Sequence, residues 1–243
     1  VVISQSGETA DTLAALLGSM GQAVQPLLTK RLPYDPKKLV PVALFATVSN
    51  VLAVSSNAPA KNVSELVGYS KANPGKLNMA SGGNGSSGHI SGELFKMMTG
   101  TQIQHVPYKG LNPATIDVMG GNIPLLFNDL TTAIQPYKSG RVKILGVSTA
   151  KRVQQIPEVA TIGESVPGYE AHTWFGVLAP AGTPQPVIDR LSRESMKILQ
   201  SDDIKKRFAE VGAEPVGGTP QQFAAFMAAE TVKWAKVIKA SGA

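Results

Sequence analysis

Apolar and polar positions follow two alternating periods along most of the chain, which is typical of an α/β fold. Short apolar runs predict strands at residues 51–54, 77–80, 123–127, 142–147 and 174–179. Segments with apolar residues at helical spacing, such as 113–119 and 131–137, lie between them. Residues 60–172 therefore hold a series of strand–helix units that is large enough for a domain.

Start and stop signals bound several of the predicted helices. Asn62 precedes an apolar segment and predicts a helix N-cap, and the Asn-Pro-Gly turn at residues 73–75 predicts the end of that helix. The last quarter of the chain is helical in pattern throughout. Thr219, with Pro220 at the first helical position, predicts the start of the last helix, which we expect to run to Lys239.

The composition excludes several kinds of site. The chain has 243 residues and no Cys, so disulfides, thiolate nucleophiles and cysteine metal sites are impossible. Its histidines, His89, His105 and His172, are well separated, and we therefore expect no metal site. No apolar run approaches the roughly 18 residues of a membrane span, so we expect no direct membrane insertion. Residues 1–3 also lack the pattern of a signal peptide.

The charge balance is basic but dispersed. A formal net charge of +6 suits an anionic ligand, a nucleic acid or an acidic surface. The densest basic runs, at residues 37–38, 151–152 and 205–207, are short, and the lysines near the carboxyl end recur at helical spacing. Such patterns are typical of solvated helix faces, so we expect no nucleic-acid partner.

The strongest local motif is a glycine-rich segment between a predicted strand and a predicted helix. Gly83, Gly85 and Gly88 match the G-x-G-x-x-G pattern of dinucleotide-binding loops. That pattern requires an acid at the end of the next strand to hold the ribose, but residues 105–109 include none. Small residues and free amides at a helix start also favour an anion. A plain turn, an anion-binding loop and a dinucleotide site all remain open.

For the neighbouring polar residues, too, a structural role is an alternative to a functional one. Ser86 and His89 lie three apart, but a nucleophilic pair also needs an orienting acid and an oxyanion hole, which the sequence does not identify. His89 could equally bond a loop carbonyl. Tyr108 lies at a predicted strand end, where open parallel sheets bind ligands, whereas Lys109 is either a ligand contact or a surface residue.

Further candidate residues lie at the ends of predicted strands. Asn128 and Asp129 close a strand, and because Asp is favoured at helix N-caps we expect Asp129 to cap the helix that begins at Leu130. Its carboxylate would otherwise be unfavourable beside an acidic ligand, unless it binds an amine or orders water. Trp174 is expected in the core, although its position before a predicted domain crossing leaves a ligand contact open.

Six motifs occur in order along the chain and together resemble one family. They are residues 32–36 (LPYDP), 73–77 (NPGKL), 80–86 (ASGGNGS), 105–110 (HVPYKG), 174–180 (WFGVLAP) and 217–220 (GGTP). The set closely resembles the Bug-type (TctC-like) solute-binding proteins of tripartite tricarboxylate transporters. The resemblance covers the chain from Ala23 to its carboxyl end.

This resemblance implies a type II periplasmic-binding-protein fold, in which two α/β domains are joined by two crossing segments and hold a ligand cleft between them. One domain would comprise residues 1–54 and 176–243, and the other residues 55–175. Hinges are expected near Val54 and Gly176. The second domain agrees with the strand–helix units that the periodicity predicts independently.

The resemblance also implies which loops bind the ligand. In the domain of residues 55–175 these loops contain Gly83, Asn84, Gly85, Ser86, Ser87, Tyr108, Lys109, Gly110, Asn128 and Asp129. In the other domain they are residues 5–11 and the segment Ser19, Met20, Gly21 and Gln22.

The implied function is capture rather than catalysis. Backbone amides and hydroxyls at helix starts would hold a small organic acid, and the two domains would close on it. The closed protein would then deliver its ligand to the membrane subunits of a tripartite tricarboxylate-type transporter. We expect a periplasmic location, with the signal peptide already removed, and neither a cofactor nor enzyme activity.

The amino-terminal stretch departs from the family pattern. Residues 7–11 (GETAD) replace the usual Pro-Gly-Gly-x-Thr-Asp motif, and residues 16–26 already resemble the exit from the third strand. We therefore predict that a segment of the family pattern is missing between Ala14 and Leu16. Glu8 would also bring a negative charge to the expected carboxylate site.

Two other functional classes remain as alternatives. An NAD(P)-binding oxidoreductase would use the loop from Gly83 to Gly88 but lacks the ribose-binding acid. The effector domain of a transcription regulator shares the two-lobed architecture, but it would need a helix-turn-helix segment with a basic recognition helix, which the sequence does not contain. NAD(P) binding and a shift of duplex DNA would identify these classes.

Overall fold

A computed structural model describes residues 16–28 and 35–241 of the chain. These residues pack into two compact α/β units. Unit 1 contains residues 16–28, 35–47 and 174–235, and unit 2 contains residues 48–173 and 236–241. The domain bounds expected at residues 54 and 176 stay a prediction. The segment predicted to be missing between Ala14 and Leu16, and the expected ligand loop at residues 5–11, lie outside the described residues.

The described residues alternate between strands and helices. The strands are β1 Leu16–Ser19, β2 Leu39–Ser55, β3 Leu77–Ser81, β4 Ile103–Pro107, β5 Leu125–Asp129, β6 Val142–Val147, β7 His172–Pro180 and β8 Ala213–Pro215. The helices are α1 Met20–Leu28, α2 Val63–Ala72, α3 Ser87–Thr99, α4 Leu111–Met119, α5 Leu130–Lys138, α6 Ile162–Ser165, α7 Gln185–Gln200, α8 Asp202–Glu210 and α9 Pro220–Ser241. A single 3₁₀ turn at Pro36–Lys38 precedes β2. Among these helices, none is long and apolar enough to cross a membrane.

Most predicted elements are confirmed, and their caps form as the sequence indicates. Asn62 accepts a hydrogen bond from the Glu65 backbone N–H at the start of α2. Thr219 accepts one from the Gln222 N–H at the start of α9. Both contacts satisfy amides that have no acceptor within the helix itself.

Several strands differ from the sequence prediction in their bounds, and β2 and β5 begin at other residues for identifiable reasons. β2 is 17 residues long and begins at Leu39 rather than at residue 51. The sequence prediction missed its first part because the polar pair Ser49 and Asn50 interrupts the apolar pattern and Pro41 disfavours a strand. β5 begins at Leu125 rather than Ile123, because Pro124 has no N–H to donate to the sheet. The short elements β8 and α6 carry too few residues to produce a periodic signal.

Unit 1 is built around β1, β7 and the first part of β2. β1 pairs antiparallel with β7, from Leu16 opposite Leu178 to Ser19 opposite Phe175. β2 lies next to β7 and also pairs with β8. The core of the unit includes Trp174, which is fully buried.

Unit 2 contains a mixed sheet in the order β4-β3-β5-β2-β6. β3 is parallel to both β4 and β5, whereas β2 is antiparallel to β5 and β6. Helix α3 covers the face that carries Met79 and Phe127, while α4 and α5 pack with Ala80 and Leu126 on the opposite face. Since β3, β4 and β5 run in the same direction, their carboxyl ends lie at one edge of the sheet.

The aromatic core under α3 provides a stability test. Phe127 is fully buried against the rings of Phe95 and Tyr169, so Phe127→Ala removes contacts and leaves a cavity. We expect the free energy of unfolding to fall by about 3–5 kcal/mol, measured by urea unfolding with circular dichroism. As a matched control, Ile116→Ala on the 65% exposed side chain of α4 should change it by less than about 0.5 kcal/mol. Equal effects of the two substitutions would contradict this assignment of the core.

Candidate ligand-binding site

Three connections meet at the carboxyl edge of the parallel strands in unit 2. They are the glycine-rich loop (residues 82–86) after β3, the Tyr108 loop (residues 108–110) after β4, and the β5–α5 junction (residues 128–129). The Gly110 N–H donates to the Gly82 carbonyl over 3.2 Å, and the Ser87 hydroxyl donates to Asp129 Oδ1 over 3.3 Å. The structure therefore brings together the three segments of residues 55–175 that the sequence predicts as ligand loops.

The glycine-rich loop depends on its glycines for two different reasons. Gly83 and Gly85 have positive φ angles of 125° and 75°, which side chains rarely tolerate. Gly88, at the start of α3, packs so closely on β5 that a Cβ atom would overlap the Phe127 carbonyl. The third glycine of the motif thus serves the approach of α3 to the sheet.

The start of α3 carries backbone donors that the helix itself does not satisfy. Ser86 is the N-cap, and its hydroxyl accepts from the His89 backbone N–H at 3.3 Å. The first intrahelical bond runs from the Ile90 N–H to the Ser86 carbonyl, so helix geometry leaves the N–H groups of Ser87 and Gly88 without an intrahelical acceptor. Together with the positive end of the helix dipole, these groups favour an anion at this edge. Asn84 is exposed beside them.

Two histidines support the glycine-rich loop from within the unit. The Gly85 N–H donates to His89 Nδ1 over 3.1 Å, and the His89 ring stacks on His105 with centroids 4.0 Å apart. His105 Nε2 lies 2.6 Å from Ser81 Oγ, which also bonds the backbone of Gly83. Burial lowers the pKa of both rings, that of His105 to about 4.

The same contacts argue against a Ser86–His89 catalytic pair. The Ser86 hydroxyl caps the helix, and the His89 ring bonds the loop amide of Gly85 rather than a loop carbonyl. Neither group is arranged as a nucleophile with its base, because the hydroxyl faces the His89 backbone N–H and not its ring.

Asp129 does not make the cap that the sequence predicts, and that expectation is wrong. It occupies the N-cap position of α5, but its side chain makes no capping bond. Its Oδ1 instead accepts from Ser87 at 3.3 Å and from Thr173 at 2.7 Å. Two hydroxyls from distant parts of the sequence thus bond the carboxylate in place of a backbone N–H group of α5. Burial raises the pKa of Asp129, while the bonds from Thr173 and Ser87 act in the opposite direction.

The side chain of Asn128 is held within unit 2. Its Nδ2 donates to Thr115 over 3.2 Å, and its Oδ1 accepts from Thr132 at 2.6 Å. Burial of Asn128 is nearly complete. These contacts mean that Asn128 helps to fix the position of the β5–α5 junction. A direct bond from its side chain to a ligand stays a prediction.

In the Tyr108 loop, the two predicted ligand residues differ in their surroundings. The Tyr108 hydroxyl donates to Asp117 Oδ2 over 2.5 Å, and this bond raises the pKa of Tyr108 to about 12. Lys109 is exposed to solvent. The ligand bond predicted from Tyr108 stays a prediction, and it would compete with Asp117 for the hydroxyl proton.

The remaining predicted ligand residues belong to unit 1. Ser19 ends β1, and Met20, Gly21 and Gln22 form the first turn of α1. Trp174 lies in the core, where the rings of Phe223 and Phe226 pack edge-on against it with centroids 5.6 and 5.7 Å away. The indole N–H of Trp174 has no acceptor among the described residues. Ligand contacts by these five residues stay a prediction.

The sequence analysis missed two residues that organise the β5–α5 junction. Thr173 donates to Asp129 and lies 3.3 Å from Asn50 Oδ1, while Asn50 Nδ2 donates to Ser91 over 2.8 Å. Both Asn50 and Thr173 are buried. The available signal was the polar pair Ser49 and Asn50 within the apolar run of β2, since a buried amide requires partners.

In the part of the chain that the structure describes, no three His, Cys, Asp or Glu side chains converge as a metal site would require. What lies there instead is one half-buried carboxylate, Asp129, which accepts hydrogen bonds from the hydroxyls of Ser87, the first residue of α3, and Thr173. Such an arrangement suits a polar organic ligand better than a metal ion.

Comparison with known proteins identifies relatives of the whole chain. Residues 2–243 match the model of the tripartite tricarboxylate transporter family receptor, TctC. Protein BugT of Bordetella pertussis strain Tohama I is 34% identical over 238 residues, which is 96% of this chain and 73% of BugT.

Two solved structures are similar in fold. An R. palustris protein solved with adipate has a TM-score of 0.87 and 37% identity, covering 94% of this chain and 77% of its own. MatC from Rhodopseudomonas palustris, with bound malate, has a TM-score of 0.81 and 26% identity, covering 92% and 78%. The fold class, a two-domain α/β architecture of the periplasmic solute-binding type, and the resemblance to Bug-type proteins are thereby confirmed. The chain belongs to the TctC family of tripartite tricarboxylate transporter receptors.

Proposed function

We propose that this protein binds a small organic acid at the carboxyl edge of unit 2 and delivers it to the membrane subunits of a tripartite transporter. The observation that carries the proposal is the start of α3, where the N–H groups of Ser87 and Gly88 lie beside the neighbouring connections. Relatives support the ligand class, since one of them is described with adipate and another with malate.

The chemistry of this edge suits a carboxylate. Amide N–H groups and the helix dipole stabilise negative charge without a cationic side chain, and charge-assisted hydrogen bonds to a carboxylate are stronger than neutral ones. Lys109, exposed in the adjoining loop, would add long-range attraction. Closure of two domains on the ligand, which the resemblance implies, stays a prediction.

Asp129 sets a limit on which acids bind. Its carboxylate accepts two hydroxyls on Oδ1, and no described residue hydrogen-bonds its Oδ2. An anionic ligand group near Oδ2 would be repelled, whereas an ammonium or hydroxyl group would be attracted. We propose that the carboxylate of the ligand lies at the α3 start and that its uncharged or cationic part lies toward Asp129.

Location and partners follow from the family. TctC proteins are periplasmic binding proteins, and we propose the same location for this one. Binding without turnover is proposed, because a receptor of this family captures its ligand for transport. Its protein partners would be the membrane subunits of the tripartite system.

A ligand screen tests the proposal directly. Protein that has been unfolded and refolded to remove bound ligand is heated with adipate, malate, aromatic acids, amino acids or NAD(P). A ligand at 100 times its Kd stabilises the folded state by about 2.7 kcal/mol, which a thermal shift detects. We expect a shift with a carboxylate and none with NAD(P). A shift with NAD(P) alone would instead favour the oxidoreductase alternative and overturn the proposal.

Gly88→Ala tests the position of the α3 start. A Cβ atom at this position overlaps the Phe127 carbonyl, so α3 must move away from β5 and carry its amide donors with it. We expect ligand affinity, measured by calorimetry, to fall at least tenfold. Gly68→Ala, in α2 with open space around it, is the matched control and should leave affinity unchanged. Unchanged affinity in Gly88→Ala would contradict the proposed site.

Asp129→Asn tests the carboxylate that faces the site. Because burial raises the pKa of Asp129 above its usual 3.8, the folded state holds the proton more tightly than the unfolded state. The stability contributed by the protonated form is therefore lost as pH rises above about 4. Asn keeps the acceptor for Ser87 and Thr173, so we expect the variant to gain stability over the native protein as pH rises, measured by thermal unfolding from pH 4 to 8.

The same variant reports on the ligand class at pH 8. Removal of the negative charge should raise the affinity for a dicarboxylate by about three- to tenfold. It should lower the affinity for an acid whose ammonium group contacts Asp129. Equal affinities of the native protein and the variant for both classes would place Asp129 away from the ligand.

A further inference from the structure

The paired histidines behind the glycine-rich loop have a role that goes beyond packing, if this loop binds the ligand as proposed above. We infer that His89 and His105 are positioning residues, and that the loop keeps its binding conformation only while the His89 ring is neutral. Ligand affinity then falls at acidic pH because the protein, and not only the ligand, takes up a proton.

The first step of the argument is the bond to Gly85. His89 Nδ1 accepts the Gly85 N–H over 3.1 Å, so this nitrogen must be unprotonated and the proton of the neutral ring resides on Nε2. A second proton on the ring would make Nδ1 a donor that faces the Gly85 N–H, which is also a donor. Gly85 is buried and has a φ of 75°, and its amide would then lack an acceptor. Protonation of His89 therefore releases the middle of the loop.

The second step is a parallel connection through His105. Its Nε2 lies 2.6 Å from Ser81 Oγ, and the same hydroxyl bonds both the N–H and the carbonyl of Gly83. Because the single hydroxyl proton of Ser81 donates to the Gly83 carbonyl, Ser81 Oγ accepts from His105 Nε2–H, and this bond is possible in both the neutral and the protonated ring. The two rings thus anchor the first two glycines of the motif.

The third step is the coupling between the rings. Their centroids are 4.0 Å apart and their planes differ by 17°, so two positive charges there would repel strongly. Burial is the main reason that the pKa of each ring is lowered, and for His105 the charge of His89 is the next. Both rings are accordingly neutral at pH 7, and the first proton to bind destabilises the shared arrangement.

The charged groups that face the pair belong to α3. Glu93 Oε1 lies 3.8 Å from His89 Nε2 and 2.7 Å from Lys96 Nζ, so the carboxylate favours a proton on His89 while the lysine opposes it. On the adjacent strand β3 the Ser81 hydroxyl contacts His105, and β4 supplies His105 itself.

A cavity adjoins the charged partners of the pair. Glu93 and Lys96 line this cavity of about 220 Å³ together with Met97, Thr101, Ala240 and Ser241. The His89 nitrogen that faces Glu93 is Nε2, which already carries the proton of the neutral ring. The second proton must therefore bind Nδ1, where it displaces the Gly85 N–H.

The first experiment needs no ligand. Nitrogen-15 NMR of the imidazoles and of the Gly85 amide is recorded from pH 7.5 to 4. We expect His89 as the Nε2–H tautomer, titrating below 6.5, with the Gly85 amide shifting along the same curve. A His89 ring that titrates at an ordinary value, or a Gly85 amide that does not respond to it, would overturn the inference.

The second experiment measures the affinity for adipate and malate at pH 7.5 and pH 4.5. His89→Ala removes the acceptor and should bind at least tenfold more weakly at pH 7.5. His89→Asn places an amide oxygen near the position of Nδ1 and should recover most of that loss. Because Asn cannot take up the proton, its affinity should fall at least fivefold less than that of the native protein between the two pH values.

The comparison between variants removes the effect of the ligand's own carboxyl groups, which titrate in the same range for every protein form. His172→Asn removes the histidine outside the pair and should follow the native pH dependence. Parallel loss of affinity in the native protein and His89→Asn would refute the role of His89. If neither acid binds the native protein at pH 7.5, the proposed ligand fails, while the NMR titration still decides whether the histidines hold the loop.

Discussion

The close approach of α3 to β5 at Gly88 is the contact on which the candidate site depends. A helix can lie this near a strand carbonyl only where it has no side chain, and the approach brings its first amides to the edge where β3, β4 and β5 end. The parallel pairing of these strands supplies the edge, and Gly88 brings the helix start to it. The proposed binding of a carboxylate there needs no cationic side chain, because amides held in place need little reorganisation to meet an anion.

Polar groups behind the loops hold this geometry in place. The histidine pair anchors the glycine-rich loop, and hydroxyls from Ser87 and Thr173 bond the carboxylate of Asp129, which makes no capping bond to α5. Each contact joins residues that are far apart in sequence or on different elements. An unsatisfied buried polar group is costly, so each such network specifies one arrangement of its loop rather than several.

Local signals predicted much of the fold, because they depend on neighbouring residues. The caps at Asn62 and Thr219 formed as predicted, and the ordered motifs predicted the family that the comparisons show. Asp129 marks the limit of this reasoning. Its preference for an N-cap is real, but Thr173, more than forty positions away, offers its carboxylate a hydroxyl partner at 2.7 Å. Propensity is a weak determinant when a distant donor competes.

The sequence by itself determined the α/β class, the order of most elements and the segments from which the loops come, because hydrophobic periodicity and turn residues act over a few positions. Only the tertiary structure decided that the three connections of unit 2 meet, that His89 bonds an amide rather than a carbonyl, and that Asn50 supports the junction. These facts require strand order and side-chain direction, which arise when the sheet assembles and distant residues become neighbours.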